Sequence, residues 1–364
     1  MDLTRKLNQV LLLIIALSMW SCTDDDDNTL GVWYRKSDFD GRAREDAAGF
    51  VIGNYGYICG GYRGKTQRER DCWEYNIAND WWTQCADLPE AADARNGAVG
   101  FSVGSKGYIT NGYTVYSDDD PLHSGGSAYL SDTWQYDPTT DSWAQMDDYP
   151  GTARRGAVSF TIGDYAYVGT GYSKDDKQLK DFYVFDHTAA SGSQWTLLQG
   201  FGGQKREGAQ AFVIDNIAYL VGGINNGSDV EDFWSFDPTR TDDNKWTRLR
   251  DIKDSSSEKY DDDYASIMRA YGCAFVIDGQ GYITLGQTAG GGLRSNYWIY
   301  DPATDLWKSS ETEDYDYTAF EGSSRVKAIC FSTGLRGIIT TGGAGSTSYY
   351  DDTWELKPYE WEED

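Results

Sequence analysis

Proline is scarce in this chain, 7 residues in 364, and histidine scarcer, with 2. Basic residues are outnumbered: 32 Lys and Arg stand against 58 Asp and Glu, a formal charge of −26. Each shortage excludes something. The acidic balance repels phosphate backbones, so nucleic acid is set aside as a partner. With only His123 and His187, and no CxxC pair or Cys/His cluster, zinc and copper lack ligands, and no cofactor or metal is expected. No long helix-periodic stretch follows residue 21, which removes long helices from the ordered body.

What the chain has is aromatic and flexible: 14 Trp, 27 Tyr and 41 Gly point to many short strands and tight turns. The length suits one large all-β domain. Residues 1–21 read as processing signal, with Arg5 and Lys6 ahead of a short apolar run from Val10 to Leu17. The segment resembles a bacterial lipoprotein signal, which implies lipidation of Cys22. Residues 22–31, with Asp24 to Asp27, then form an acidic tether. That block is similar to export tags of some Gram-negative lipoproteins and implies an outer-membrane, surface-exposed location. Five cysteines remain. A disulfide among Cys59, Cys72 and Cys85 is possible in an oxidising compartment, but small buried hydrophobes are the expected role of all five.

One unit recurs six times. Each copy opens with Arg and an aromatic six places on: Arg44/Phe50, Arg95/Phe101, Arg154/Phe160, Arg206/Phe212, Arg269/Phe275 and Arg325/Phe331. An apolar stretch ending in Gly follows, as in YICGG at 57–61 and IITTGG at 338–343, with copies 2, 3 and 5 keeping only the second Gly. Next comes an acid or amide two places before an aromatic, as in Asp71/Trp73 and Asn296/Trp298, and finally another Trp such as Trp82 or Trp143. Each unit predicts four short strands, a to d, around a crowded axis, with indole rings filling the space between sheets.

From residue 32 onward the pattern resembles the kelch-repeat β-propeller family, the superfamily that includes galactose oxidase. The resemblance implies an all-β, six-bladed propeller over 32–364. Trp33 stands before the first Arg as an orphan fourth strand, so it is expected to join the last blade and close the ring. In this family the b–c and d–a loops share one face, and here they hold the insertions 114–131, 250–268 and 309–324. Function is therefore expected on that face.

By the same resemblance, binding positions lie just after the strand-b Gly: Tyr62, Arg63, Tyr113, Tyr172, Asn225, Asn226 and Gln287. A second set lies two places after the leading Arg: Asp46, Gly97, Gly156, Gly208, Tyr271 and Lys327. Its three glycines are expected to leave room near the axis. Stacking on a glycan or gripping an envelope protein suits this mixture, and the tyrosines covering the loop bases is the simpler alternative. The six arginines read as structural, bonding loop carbonyls or an acid of the neighbouring sheet. A galactose-oxidase-type copper centre is excluded by the two histidines. An enzyme of the N-acetylneuraminate mutarotase kind needs an acid/base carboxylate beside a cation. Glu207 beside Arg206 and Glu45 beside Arg44 are the candidates, with a surface-facing Glu as the simpler reading. Asp118–Asp120 and Asp261–Asp263 lack the spacing of calcium loops.

Overall fold

The computed structural model describes residues 29–362, apart from 65–66, 121–122, 124, 242–244, 311 and 313–315. The signal segment, Cys22 and the acidic run Asp24–Asp27 lie outside the described residues. Six four-stranded antiparallel sheets stand around an axis. Blade 1 runs Ala48–Ile52, Tyr55–Cys59, Cys72–Asn76 and Trp81–Cys85 as strands a to d. Blades 2 to 5 repeat this plan over residues 99–145, 158–198, 210–248 and 273–308. Blade 6 takes strands a to c from Ile329–Ser332, Gly337–Thr340 and Thr353–Trp361, and strand d from Leu30–Lys36. Trp33 lies opposite Leu356 in that pairing, so the two ends of the chain share one sheet as expected. The closing strand starts at Leu30, two residues inside the segment assigned to the tether.

The aromatic six places after each Arg packs in two directions. Phe50 stacks on Tyr57, with ring centroids 5.0 Å apart, and Phe101, Phe160, Phe212 and Phe275 repeat this in their blades. The same rings press on strand b of the next blade, where a Cβ at Gly56, Gly107, Gly281 or Gly337 would overlap Phe331, Phe50, Phe212 or Phe275. Each such ring pair adds about 0.5–1.5 kcal/mol beyond its buried area.

The six leading arginines are fully buried. Arg44 Nη1 and Nη2 donate to the two Asp71 oxygens at 2.5 and 2.7 Å, Nη1 also donates to the Gly60 carbonyl, and Nε to the Arg42 carbonyl. Arg95–Asp132, Arg154–Asp181, Arg206–Asp232 and Arg325–Asp352 repeat the ion pair, and Arg269 bonds Asn296. The acid belongs to the arginine's own blade and not to the neighbouring sheet, because the d–a chain folds back over the sheet it is about to enter. The recurring Asp-x-Trp phrase has its cause here. Asp71, Asp132 and Asp352 also accept the indole N–H of the Trp two places on, at 2.7, 2.6 and 2.7 Å.

Three other expectations are corrected. Cys59 and Cys72 lie directly opposite each other on adjacent strands and form a disulfide, so they are not merely small hydrophobes; Cys85 is free. In copy 6 the strand-b position pair is Thr341-Gly342, so this copy too lacks the first Gly. The insertion 250–268 buries Ile252, Tyr264 and Ile267 in the apolar core of blades 4 and 5. Within 309–324, Phe320 packs on Trp33, with ring centroids 5.0 Å apart. These two insertions brace the perimeter.

Candidate functional site at the axis

Beyond each leading Arg, the next residue pairs with the residue after the strand-b glycine: Glu45 with Tyr62, Asn96 with Tyr113, Arg155 with Tyr172, and Glu207 with Ile224. The residue after that turns into left-handed backbone. Asp46, Gly97, Gly156, Gly208, Tyr271 and Lys327 have φ between 55° and 66°. Each of the six donates its N–H to the carbonyl of its counterpart in the preceding blade, at 2.7 to 3.0 Å, and Asp46 closes the circle onto Lys327. A ring of six backbone hydrogen bonds therefore surrounds the axis. A cavity of about 120 Å³ lies at the ring, lined also by Ala47, Ala98, Ala157 and Ala209.

The three ring glycines were expected to leave room near the axis; Gly97, Gly156 and Gly208 do line the cavity, and the Tyr271 ring takes part of the space. The Tyr271 ring lies over Gly208, where a Cβ would sit 2.9 Å from three ring atoms, and its edge reaches Gly156. Tyr271 donates its hydroxyl to Glu207 Oε2 at 2.5 Å, and Gln178 Nε2 donates to Glu207 Oε1 at 2.9 Å. Burial, reinforced by Glu207, holds the Tyr271 hydroxyl well above the ordinary tyrosine pKa. Across the ring Lys327 Nζ lies 3.6 Å from Glu45 and 3.4 Å from Asp46. Burial pulls the Lys327 ammonium down, but Asp46 and Glu45 outweigh it and leave its pKa raised. Burial pushes Glu45 above the usual carboxylate range, with Lys327 pulling the other way. Neither glutamate is the surface-facing side chain of the simpler reading. Glu45 is 6 % exposed, and Glu207 is half-buried.

The wall on the side of blades 6, 1, 2 and 3 is a ladder of rings and guanidinium groups. Arg68 lies between Tyr62 and Tyr113, 5.3 and 5.1 Å from their centroids, and Arg155 between Tyr113 and Tyr172, at 5.4 and 5.6 Å. Tyr349 extends the ladder beyond Tyr62, and Tyr129 packs against both Tyr113 and Tyr172. Arg68 Nε donates to Asn96, whose amide donates to Asp46 at 2.6 Å, which ties ladder to ring.

Of the positions nominated from sequence, Tyr62, Tyr113, Tyr172, Tyr271 and Lys327 come together here. Arg63 pairs with Glu69 in its own loop, Asn225 pairs with Ser228 across a hairpin that turns at Asn226, and Gln287 pairs with Ala270 and Leu293 through backbone. Arg68, Arg155, Asn96, Gln178 and Tyr129 were not nominated. Arg155 was hidden by its neighbour Arg154, although its place one after the leading Arg puts it beside Tyr172. Apart from this cluster, Asp254, Asp261 and Asp262 converge to within 4.8 Å, but Asp261 already accepts from the backbone and hydroxyl of Ser256.

A profile described as "Kelch motif" matches residues 43–89 and 205–252, which are blades 1 and 4 with the segments leading into them. The chain is an all-β, six-bladed propeller in which two of the blades match the kelch motif. Among curated proteins the propeller is 23 % identical over 280 residues to "Kelch-like protein 25" of Xenopus tropicalis, covering 76 % of this chain and 43 % of that one. It is 40 % identical over 75 residues to "N-acetylneuraminate epimerase" of Vibrio vulnificus (strain YJ016), covering 21 % of this chain and 18 % of the relative. The chain thus spans less than half the length of these curated relatives. The solved "Structure of YjhT" superposes with a TM-score of 0.67 at 17 % identity, over 86 % of this chain and 95 % of that one, which is a likeness of fold.

Proposed function

We propose that this kelch propeller is a binding module of the cell envelope that holds a glycan against the axial ring, attached to the outer membrane through lipid on Cys22. The observation that carries the reading is the ladder Tyr62–Arg68–Tyr113–Arg155–Tyr172 standing beside clustered donors and acceptors. The ring edges, hydroxyls and guanidinium groups of the ladder, with Asn96, Gln178, Glu45 and Glu207, offer partners for a sugar's C–H groups and hydroxyls. The cavity at the ring takes a small substituent, so the body of the ligand rests on the ladder. The test is a glycan-array and pull-down screen with the fragment 29–364. Capture of a sugar that is lost in Tyr113→Ala supports the reading. Capture of an envelope protein on an unchanged ladder would replace it.

A second reading is a sugar-converting enzyme of the N-acetylneuraminate mutarotase type. It is favoured by Glu45, buried beside Lys327 with a raised pKa, and by the short match to the epimerase. Anomer interconversion followed by NMR decides it. A rate lost in Glu45→Gln or Glu207→Gln with ligand still bound supports catalysis; no acceleration by the wild-type protein removes it.

A further inference from the structure

Arg155 sets its guanidinium over two tyrosine rings, Tyr113 and Tyr172, and leaves its side-chain nitrogens without a protein partner among the described residues. Its neighbour Arg154 is the opposite case, fully buried and spent on both oxygens of Asp181 at 2.8 Å. The acids within electrostatic reach of Arg155 are Asp46 and Glu207. Both are engaged, Asp46 by Asn96 and Lys327, Glu207 by Tyr271 and Gln178. On the outer side of Tyr172, Lys177 Nζ stands 5.8 Å from the ring centroid and adds a second positive charge.

A half-buried guanidinium has shed part of its water, and its planar N–H fork matches the two oxygens of a carboxylate. Contact with two rings restrains the side chain in advance, so less side-chain entropy remains to be lost on binding. We propose that Arg155 is the anion anchor of the axial site and that the ligand is an acidic sugar, its carboxylate seated on the Arg155 fork. The inference rests on the reading that this cluster binds a sugar, and it names the chemical class.

Calorimetric titration of the purified protein with glucuronate and glucose, and with N-acetylneuraminate and its methyl ester, tests it. At least one acid should bind 10-fold or more tightly than its neutral counterpart. Arg155→Met should weaken that acid roughly 10- to 100-fold, with Arg155→Lys in between. Should Arg155→Met not fold, phenylglyoxal labelling of the wild-type protein decides instead: the acid protects Arg155 from modification and the neutral sugar does not. Equal affinity for acid and neutral forms, or Arg155 labelled at the same rate with and without the acid, overturns the anchor and leaves the sugar site standing. Binding of none of the four sugars overturns both.

Discussion

Blades 1 and 4 end their second strands in Gly60-Gly61 and Gly222-Gly223, while blades 2, 3, 5 and 6 place Asn111, Thr170, Leu285 and Thr341 before the glycine. The kelch profile matches blades 1 and 4. The backbone nevertheless draws no such line: φ is 70° and 68° at Gly60 and Gly222, and 63°, 59°, 57° and 59° at the other four. In all six the carbonyl of this residue accepts Nη1 of the leading arginine. The buried guanidinium thus sets the conformation, and the residue there adapts or carries strain of about 1–3 kcal/mol. The following glycine is not negotiable. At φ of 85° to 113° a Cβ on Gly61, Gly112, Gly171, Gly223, Gly286 or Gly342 would crowd the backbone entering its own blade. The difference between recognised and unrecognised blades is therefore one of residue identity on a shared backbone.

The severest way to break that equivalence is at the closing blade, whose outer strand comes from the far end of the chain. Trp33 is 3 % exposed and donates its indole N–H to the Thr318 carbonyl, much as Trp82 of blade 1 donates to the Ser37 carbonyl. Trp33→Ala and Trp82→Ala are each expected to cost about 3–5 kcal/mol in denaturant unfolding. A negligible loss for Trp33→Ala alone would mean that the ring is not held shut by this strand.

Next in size are the acids. Asp71→Ala strips a fully buried Arg44 of its carboxylate and is expected to cost about 3 kcal/mol. Blade 5 supplies the control. Arg269 donates to the carbonyls of Ser266, Ile267, Leu285 and Asn296 as well as to the Asn296 side chain, so Asn296→Ala should cost about 1 kcal/mol. Equal costs at the two sites would show that the carbonyls, and not the acid, satisfy the arginine in every blade.

Much of this was legible before the structure, for a physical reason. The repeat encodes its own contacts, Arg to Asp and Asp to Trp within one blade, so six copies reveal six sheets and an orphan Trp33 reveals the closure. The axial site was legible only in part. Tyr271 and Lys327 were placed by counting from the leading Arg, but the ladder depends on Arg68 from a loop without a fixed count and on Arg155, one residue beyond a repeat landmark. The insertions misled because length alone does not tell a binding loop from a brace. Ile252, Ile267 and Phe320, apolar residues inside those loops, were the available sign.

The smallest effect sharpens the comparison most. If the arginine imposes the left-handed turn, restoring glycine where a blade lacks it should help only where the side chain gives nothing back. Thr341 is such a case: β-branched, at φ 59°, with a buried hydroxyl that has no partner among the described residues. Thr341→Gly is expected to stabilise by about 1 kcal/mol, by removing both the strain and the orphaned hydroxyl. Leu285 carries the same strain but lies fully buried in the apolar cluster around Phe275 and Trp33, so Leu285→Gly should destabilise. At Gly222, where a Cβ would overlap the Arg269 carbonyl oxygen, Gly222→Ala should cost about 2 kcal/mol or more. Opposite signs for Thr341→Gly and Leu285→Gly would place the cost of the missing glycine in the backbone and its repayment in the core; matching signs would refute that division.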